Sequence, residues 1–212
     1  MSYIEVKQVS KSFKGLTIFE NLDFKVDKGK IYGITGHNGS GKSVLFKLLC
    51  GFIFPDSGKV IVDGEELGTN KRFPKGFGII IDRPGYIAEK TGYQNLKALA
   101  MIEDKISDAD IHKAMELVGL QPQAKQKVKN YSLGMKQKLA IAQAIMENQQ
   151  TLILDEPFNA LDMDSVENIR QLLQGFKEEG RTIILTSHNQ EDINLLCDEV
   201  YRINNFRLEK MR

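Results

Sequence analysis

Eight consecutive residues, Gly36-His37-Asn38-Gly39-Ser40-Gly41-Lys42-Ser43, restrict this chain to a narrow set of folds. They follow a short apolar run, Ile31–Thr35, that reads as a buried strand. They precede Val44, Leu45, Leu48 and Leu49, spaced along one helix face, with Gly51 closing the pattern. The order strand, loop, helix is the context that G-x-x-x-x-G-K-[ST] requires. Its glycines let the backbone curl until successive N–H groups point inward at phosphate oxygens, and the helix N-terminus adds a positive dipole. Gly36, His37, Asn38, Gly39, Ser40 and Gly41 then form the cradle. Lys42 reaches the β- and γ-phosphates as a point charge, and the Ser43 hydroxyl is placed to ligate Mg²⁺. The plainer reading, a glycine-rich turn before an amphipathic helix, is disfavoured by the strand on one side and the helix on the other.

A second apolar strand, Leu152-Ile153-Leu154, ends in Asp155-Glu156. A buried strand delivers Asp155 rigidly toward the metal, and Glu156 comes next, able to polarise a water facing the γ-phosphate. Many strands end in acidic residues, so this pattern gains its force from the phosphate loop. Together they point to in-line phosphoryl transfer to water, with charge neutralised by Lys42 and Mg²⁺. A small-molecule kinase is the competing enzyme class. Kinases and GTPases usually open with the phosphate-loop strand, whereas here some 30 residues of antiparallel-looking sheet come first. Asn70-Lys71-Arg72-Phe73 lacks the acid of the guanine-reading N-K-x-D motif.

The remaining pattern is α/β with a helical insertion. Ile4–Val9 and Ile18–Val26 read as strands around a Lys14-Gly15 turn, followed by strands at Lys59–Val62 and Phe77–Ile81. From about Arg83 to Gln149 the chain turns helical. Ser107-Asp108-Ala109-Asp110 resembles a capping box for a helix stopped by Gly119, and Ser132 caps a helix carrying Leu139, Ala142, Ile145 and Met146. Thr151–Leu154, Thr182–Thr186 and Glu199–Ile203 then read as strands, the last of them final in the chain. Helices at Asp164–Glu179 and Gln190–Cys197 lie between them. Lys+Arg is 29 against Asp+Glu 28, a net charge of +1 that offers no field for nucleic acid or anionic lipid. The longest apolar stretch, Val44 to Phe54, contains Lys47 and falls short of the roughly 20 residues of a spanning helix. The N-terminus lacks the apolar core of a signal peptide, and Cys50 and Cys197 read as buried free thiols of a reducing cytosol.

Tyr131-Ser132-Leu133-Gly134-Met135-Lys136-Gln137, about 20 residues before the Asp155 strand, resembles the signature of the ATP-binding cassette (ABC) family. The order of motifs carries this resemblance over nearly the whole chain: phosphate loop, signature, acidic strand, Asn159-Ala160-Leu161-Asp162, then Thr186-Ser187-His188. The drug, bacitracin and lantibiotic exporter ATPases of bacteria look most similar. The resemblance implies a P-loop NTPase with an N-terminal antiparallel β subdomain, a mixed, mainly parallel core sheet and a helical insertion. It implies a single ATPase domain over 1–212, with a catalytic lobe at 1–82 and 150–212 and a helical signature lobe at 83–149. It also implies site roles. Phe13 would stack on adenine, and Ser132 and Gly134 would bind the γ-phosphate of ATP held by a second copy. Asp162 would couple the two sites, and His188 would hold the γ-phosphate beside the catalytic Glu156. Mg²⁺ would be held by Ser43, Asp155 and Asp82, the last standing where most members carry glutamine. Leu133 and Met135 are further departures, replacing a signature glycine and glutamine.

The implied partners are a second ATPase subunit, as homodimer or pseudo-dimer, and a separate membrane permease that docks near Asp82–Leu96, where Tyr86, Ile87 and Tyr93 would line a groove or simply pack a turn. No nucleic-acid partner is expected. The expected place is cytoplasmic, peripheral on the membrane's inner face, and the expected cargo drugs or antimicrobial peptides. A soluble clamp for assembly or division is the alternative. The length is read as both lobes with no appended regulatory domain. Asp82 adds negative charge near the γ-phosphate and is one methylene shorter than glutamine. Asp82→Gln is therefore expected to change ATP turnover or its Mg²⁺ dependence, measured by phosphate release across a Mg²⁺ titration; identical curves would defeat the idea.

Overall fold

The structure is a computed structural model and describes residues 2–68, 73–82 and 85–212. β1 (Ile4–Phe13) and β2 (Leu16–Val26) form a hairpin in which Phe13 faces Leu16 across a two-residue loop. Lys14 and Gly15 both take positive φ, 48° and 82°, as the favoured two-residue hairpin turn demands. β4 (Ser57–Val62) pairs antiparallel with the other edge of β1, and the short β5 (Glu65–Glu66) pairs with β4. The resulting antiparallel sheet has the order β2-β1-β4-β5.

The second sheet has the order β10-β9-β3-β8-β7-β6. β3 (Ile31–Thr35), β6 (Phe77–Ile80), β7 (Thr151–Leu154), β8 (Thr182–Leu185) and β9 (Glu199–Asn204) are parallel. β10 (Arg207–Lys210) returns antiparallel to β9. Glu199–Ile203 is thus not the final strand. Arg207–Lys210 is mostly exposed, and only Leu208 is partly buried, so it carries no apolar run to betray it. Every residue of β7 and β8 is buried, which explains their unbroken apolar sequence.

Side-chain alternation along these central strands feeds two cores. Ile153 and Ile184 join the cluster packed under the antiparallel sheet and α1 (Lys42–Leu49), with Phe19, Phe24, Leu45 and Phe46. Leu152, Leu154, Ile183 and Leu185 point to the opposite face, toward the helices. Those are α2 (Gly92–Glu103), α3 (Asp108–Leu117), α4 (Leu133–Ile145), α5 (Met163–Glu178) and α6 (Gln190–Leu196). Ser107 does form a capping box with Asp110, and a second box joins Thr91 to Gln94 at the start of α2. Among the described residues no helix is long and apolar enough to cross a membrane. Cys50 and Cys197 are buried free thiols, each pushed up to about 12 by burial.

The sheet and α4 meet through Gly78. A Cβ there would sit 1.8 Å from the Ala144 carbonyl oxygen, a backbone atom that has no rotamer to escape into. Gly175, inside α5, faces open space. Gly78→Ala is therefore expected to lose about 3 kcal/mol in urea unfolding, while Gly175→Ala gains about 0.5–1 kcal/mol from helix propensity. Equal midpoints for the two variants would contradict this packing.

Candidate active site

The loop between β3 and α1 is shaped by what presses on it. Gly41 has φ 106°, and a Cβ there would lie 2.8 Å from Ile18 Cγ2 and 2.9 Å from Phe19 Cζ, so β2 packs directly on the loop backbone. The Lys42 ammonium folds back over the loop and donates to the carbonyls of Gly36 at 3.0 Å and His37 at 3.3 Å. Ser43, in the first turn of α1, donates from Oγ to Asp155 Oδ2 at 2.5 Å. Thr186, just past β8, donates to the other oxygen, Oδ1, at 2.8 Å. Its hydroxyl also accepts the Glu156 N–H at 2.8 Å.

Glu156 stands on a left-handed backbone, φ 52°, a conformation that L-residues keep only when their surroundings enforce it. Thr186 holds its N–H. The Gln137 side-chain amide donates to the carbonyls of Glu156 at 3.1 Å and Pro157 at 3.0 Å. The carboxylate accepts the His188 N–H on Oε2 at 3.1 Å. Its other oxygen, Oε1, is buried and makes no hydrogen bond, although His188 Nε2 lies only 3.3 Å away. Burial pushes the Glu156 carboxyl above the usual carboxylate range, with Asp155 adding to the effect and His188 and Lys42 opposing it. A half-buried carboxylate with raised proton affinity and one free oxygen is equipped to accept a proton.

These groups open into one cavity of about 930 Å³. Lys42, Ser43, Asp155, Glu156 and His188 line its polar wall, with Asn38, Gly39, Gly41 and Asp82 at its edge. The donors beside each other at Ser43 and Asp155 are hard oxygens. Among the described residues no group of three or more His, Cys, Asp or Glu is arranged to hold a metal. The two side-chain oxygens at Ser43 and Asp155 fit Mg²⁺, which takes few protein ligands and completes its shell with phosphate oxygens and water. Asp82, at φ 59°, ion-pairs with Lys47 at 2.6 Å, a neighbour that balances its extra charge.

Other expected residues stand elsewhere. Phe13 is 43% exposed at the end of β1, under the Lys11 ammonium, and does not line the cavity, whereas Ile18 does. Ser132 caps α4, accepting the Met135 N–H at 3.1 Å, and Asp162 caps α5, accepting the Ser165 N–H at 2.8 Å. Gly134 packs on the Asn159–Asp162 turn, where a Cβ would meet the Ala160 carbonyl at 2.6 Å. Neither Ser132, Gly134 nor Asp162 lines this cavity, while Leu133, 70% exposed, does. Tyr86 and Tyr93 are partly buried, which fits the turn-packing reading of the sequence, and Tyr86 also lines the cavity. The Tyr86 hydroxyl donates to the Lys136 carbonyl at 2.8 Å, the Tyr93 ring lies tilted against His112 with centroids 5.0 Å apart, and both tyrosines pack on the core. Ile87 is exposed, its backbone pinned by buried Asn95. Arg83 and Pro84 of the Asp82–Leu96 segment lie outside the described residues, as do Asn70, Lys71 and Arg72. Sequence reasoning passed over Thr186 and Gln137 as site residues. A polar residue ending an apolar strand beside a histidine is a signal for the first, but nothing local marks the second.

The family described as ABC transporter matches residues 19–159. An uncharacterized ABC transporter ATP-binding protein of Bacillus subtilis (strain 168), YybJ, is 43% identical, covering 97% of this chain and 94% of its own length. The bacitracin transport ATP-binding protein BcrA of Enterococcus faecalis is 38% identical over 93% of this chain, which spans 65% of that protein. The lantibiotic transport ATP-binding protein SrtF of Streptococcus pyogenes is 35% identical, with 92% of this chain and 84% of that protein covered. In fold, the chain matches a dimeric post-hydrolysis state of the ATP-binding cassette MJ0796 bound to ADP and Pi, with TM-score 0.87, 21% identity and 99% of each chain covered.

Because burial holds the Glu156 carboxyl above its ordinary 4.5, the folded protein binds this proton more tightly than the unfolded chain does. Ionised Glu156 therefore subtracts from stability at neutral pH, and the penalty vanishes as pH falls below the ordinary value. In nucleotide-free protein, Glu156→Gln is expected to raise the melting temperature by about 2 °C near neutral pH and to converge with wild type in acid. Superimposable melting curves near neutral pH would contradict the assignment.

Proposed function

The chain belongs to the ABC transporter family, and from that premise we propose that it is the ATP-binding, ATP-hydrolysing subunit that drives a separate membrane permease exporting antimicrobial peptides or drugs. The observation that carries the chemistry is the convergence of Lys42, Ser43, Asp155, Glu156 and His188 on one cavity, with a buried Glu156 oxygen left without a hydrogen bond. ATP phosphates lie on the inward N–H groups of the Gly36–Lys42 loop and at the N-terminus of α1. Lys42 exchanges its two loop carbonyls for the β- and γ-phosphates. Ser43 and Asp155 would hold Mg²⁺, which supplies charge neutralisation at the β- and γ-phosphates when bound. Glu156 takes a proton from water as that water attacks the γ-phosphorus, the bond to the β-phosphate oxygen breaks, and ADP and phosphate result. His188, beside Glu156, orients that water and the γ-phosphate.

In this reading a second chain completes the surroundings of the γ-phosphate. Ser132 and Gly134, at the N-terminus of α4, form an anion-binding end outside the chain's own cavity wall, and we assign them to ATP held by a second copy. Asp162 stands at the turn between the two. ATP would then hold two copies together and hydrolysis would release them, moving a permease docked at the Asp82–Leu96 segment between its two states. The relatives named bacitracin and lantibiotic transport ATP-binding proteins support antimicrobial peptides as the cargo, and work at the cytoplasmic face of a membrane belongs to this proposal.

Glu156→Gln tests this reading. The variant is expected to bind Mg²⁺-ATP with unchanged affinity, lose turnover by about a hundredfold or more, and accumulate as a dimer in light scattering with ATP. Cells carrying it lose resistance to the exported compound. Wild-type turnover, or a variant that stays monomeric with ATP, would overturn the mechanism.

A further inference from the structure

One charge pair, a buried Asp192 with a partly buried Arg170, lies outside the cavity and takes no part in the chemistry above. Asp192, on α6, is 2% exposed. Its Oδ1 accepts hydrogen bonds from Arg170 Nε at 2.9 Å and from the Arg170 terminal nitrogen at 2.5 Å. Its Oδ2 accepts one from Ser187 Oγ at 2.5 Å. Ser187 Oγ also accepts the Asn189 N–H at 3.0 Å, so the residue just before His188 is fixed through both its donor and its acceptor capacity. Arg170 projects from α5 and is further approached by Glu191 at 3.4 Å and Glu167 at 3.7 Å.

His188 itself is poorly held. Its side chain is 55% exposed, and its backbone N–H to Glu156 is the bond that seats it. The position of the imidazole is therefore set by the backbone on either side of it. Burying an Asp–Arg pair costs several kcal/mol of desolvation that an apolar pair would not incur, so such a pair is a device for fixing geometry more than for stability. We propose that Arg170, Asp192 and Ser187 are positioning residues that hold the Thr186–Asn189 turn so that His188 stands against Glu156. Arg170 sits two turns into the helix that Asp162 caps, so the same clamp ties the histidine to the Asp162 turn. This inference rests on the proposed ATPase reading for its kinetic consequence, but not for its structural one.

Ser187→Ala removes one hydroxyl and leaves the buried pair in place, so it keeps the fold. The expected result is a kcat about tenfold lower with KM for ATP within twofold, and recovery of wild-type kcat in Ser187→Thr, which restores the hydroxyl. In nucleotide-free protein, the ring ¹³C resonance of His188 is expected to move in Ser187→Ala and to return in Ser187→Thr. A Ser187→Ala enzyme with wild-type kcat and an unmoved His188 resonance would overturn the proposal, as would a loss that Ser187→Thr fails to recover. A wild-type protein without ATPase activity would sink the catalytic reading instead, and the His188 resonance would still decide the clamp.

Discussion

The Asp155 carboxylate, accepting one hydroxyl from Ser43 and another from Thr186, is the contact around which the site is organised. Asp155 follows β7, Thr186 follows β8, and Ser43 begins the helix that the loop after β3 feeds. Since β3, β8 and β7 are neighbours in the sheet, these two hydrogen bonds lock three successive C-terminal strand ends together. Asp82, just past the end of β6, reaches the same cavity from the sheet's edge. Parallel sheets place their ligand crevices beyond such ends, because side chains there are delivered by rigid strands while the loops remain free to vary. The antiparallel sheet contributes differently: Ile18 and Phe19 press on the loop backbone at Gly41 and leave no room for a side chain.

Strain gathers where the chemistry is proposed. Glu156, Asp82 and Ala160 all hold positive φ, and all three line the cavity. Each such backbone costs on the order of 1–3 kcal/mol and persists only when neighbours over-determine it. At Glu156 those neighbours are visible. Thr186 takes its N–H, while Gln137 holds its carbonyl from the signature helix, so α4 and the acidic strand share one set of hydrogen bonds. Tyr86 adds a link from the segment proposed to meet the permease, through the Lys136 carbonyl, to the same helix. A shift of α4 would be felt at Glu156 through Gln137.

Much of this was legible in the sequence wherever the physics is local. The phosphate loop, the buried strands and the caps at Ser107 and Ser132 each need only a few adjacent residues, and they fall within a residue or two of the structure. Long-range pairing was not legible. The β10 strand forms because β9 offers a free edge, not because Arg207–Lys210 favours extension. Gln137 meets Glu156 across 19 positions of sequence, and Asp192 meets Arg170 across 22. Tyr86 and Tyr93 read equally as groove-lining or turn-packing aromatics, because the local sequence does not show the core on the helix side against which the fold leaves both partly buried.

Each proposed hydrolysis site is built from two copies, Lys42 of one with Ser132 of the other. Two variants that are each inactive test it. Lys42→Ala removes the phosphate lysine, and Ser132→Asp keeps the helix cap while turning a carboxylate toward the partner's γ-phosphate. In mixed dimers one of the two sites regains both intact halves, so phosphate release is expected to reappear on mixing, approaching about a quarter of the wild-type rate if the sites act independently. A mixture as inactive as either variant alone, with mixed dimers present, would contradict the shared site.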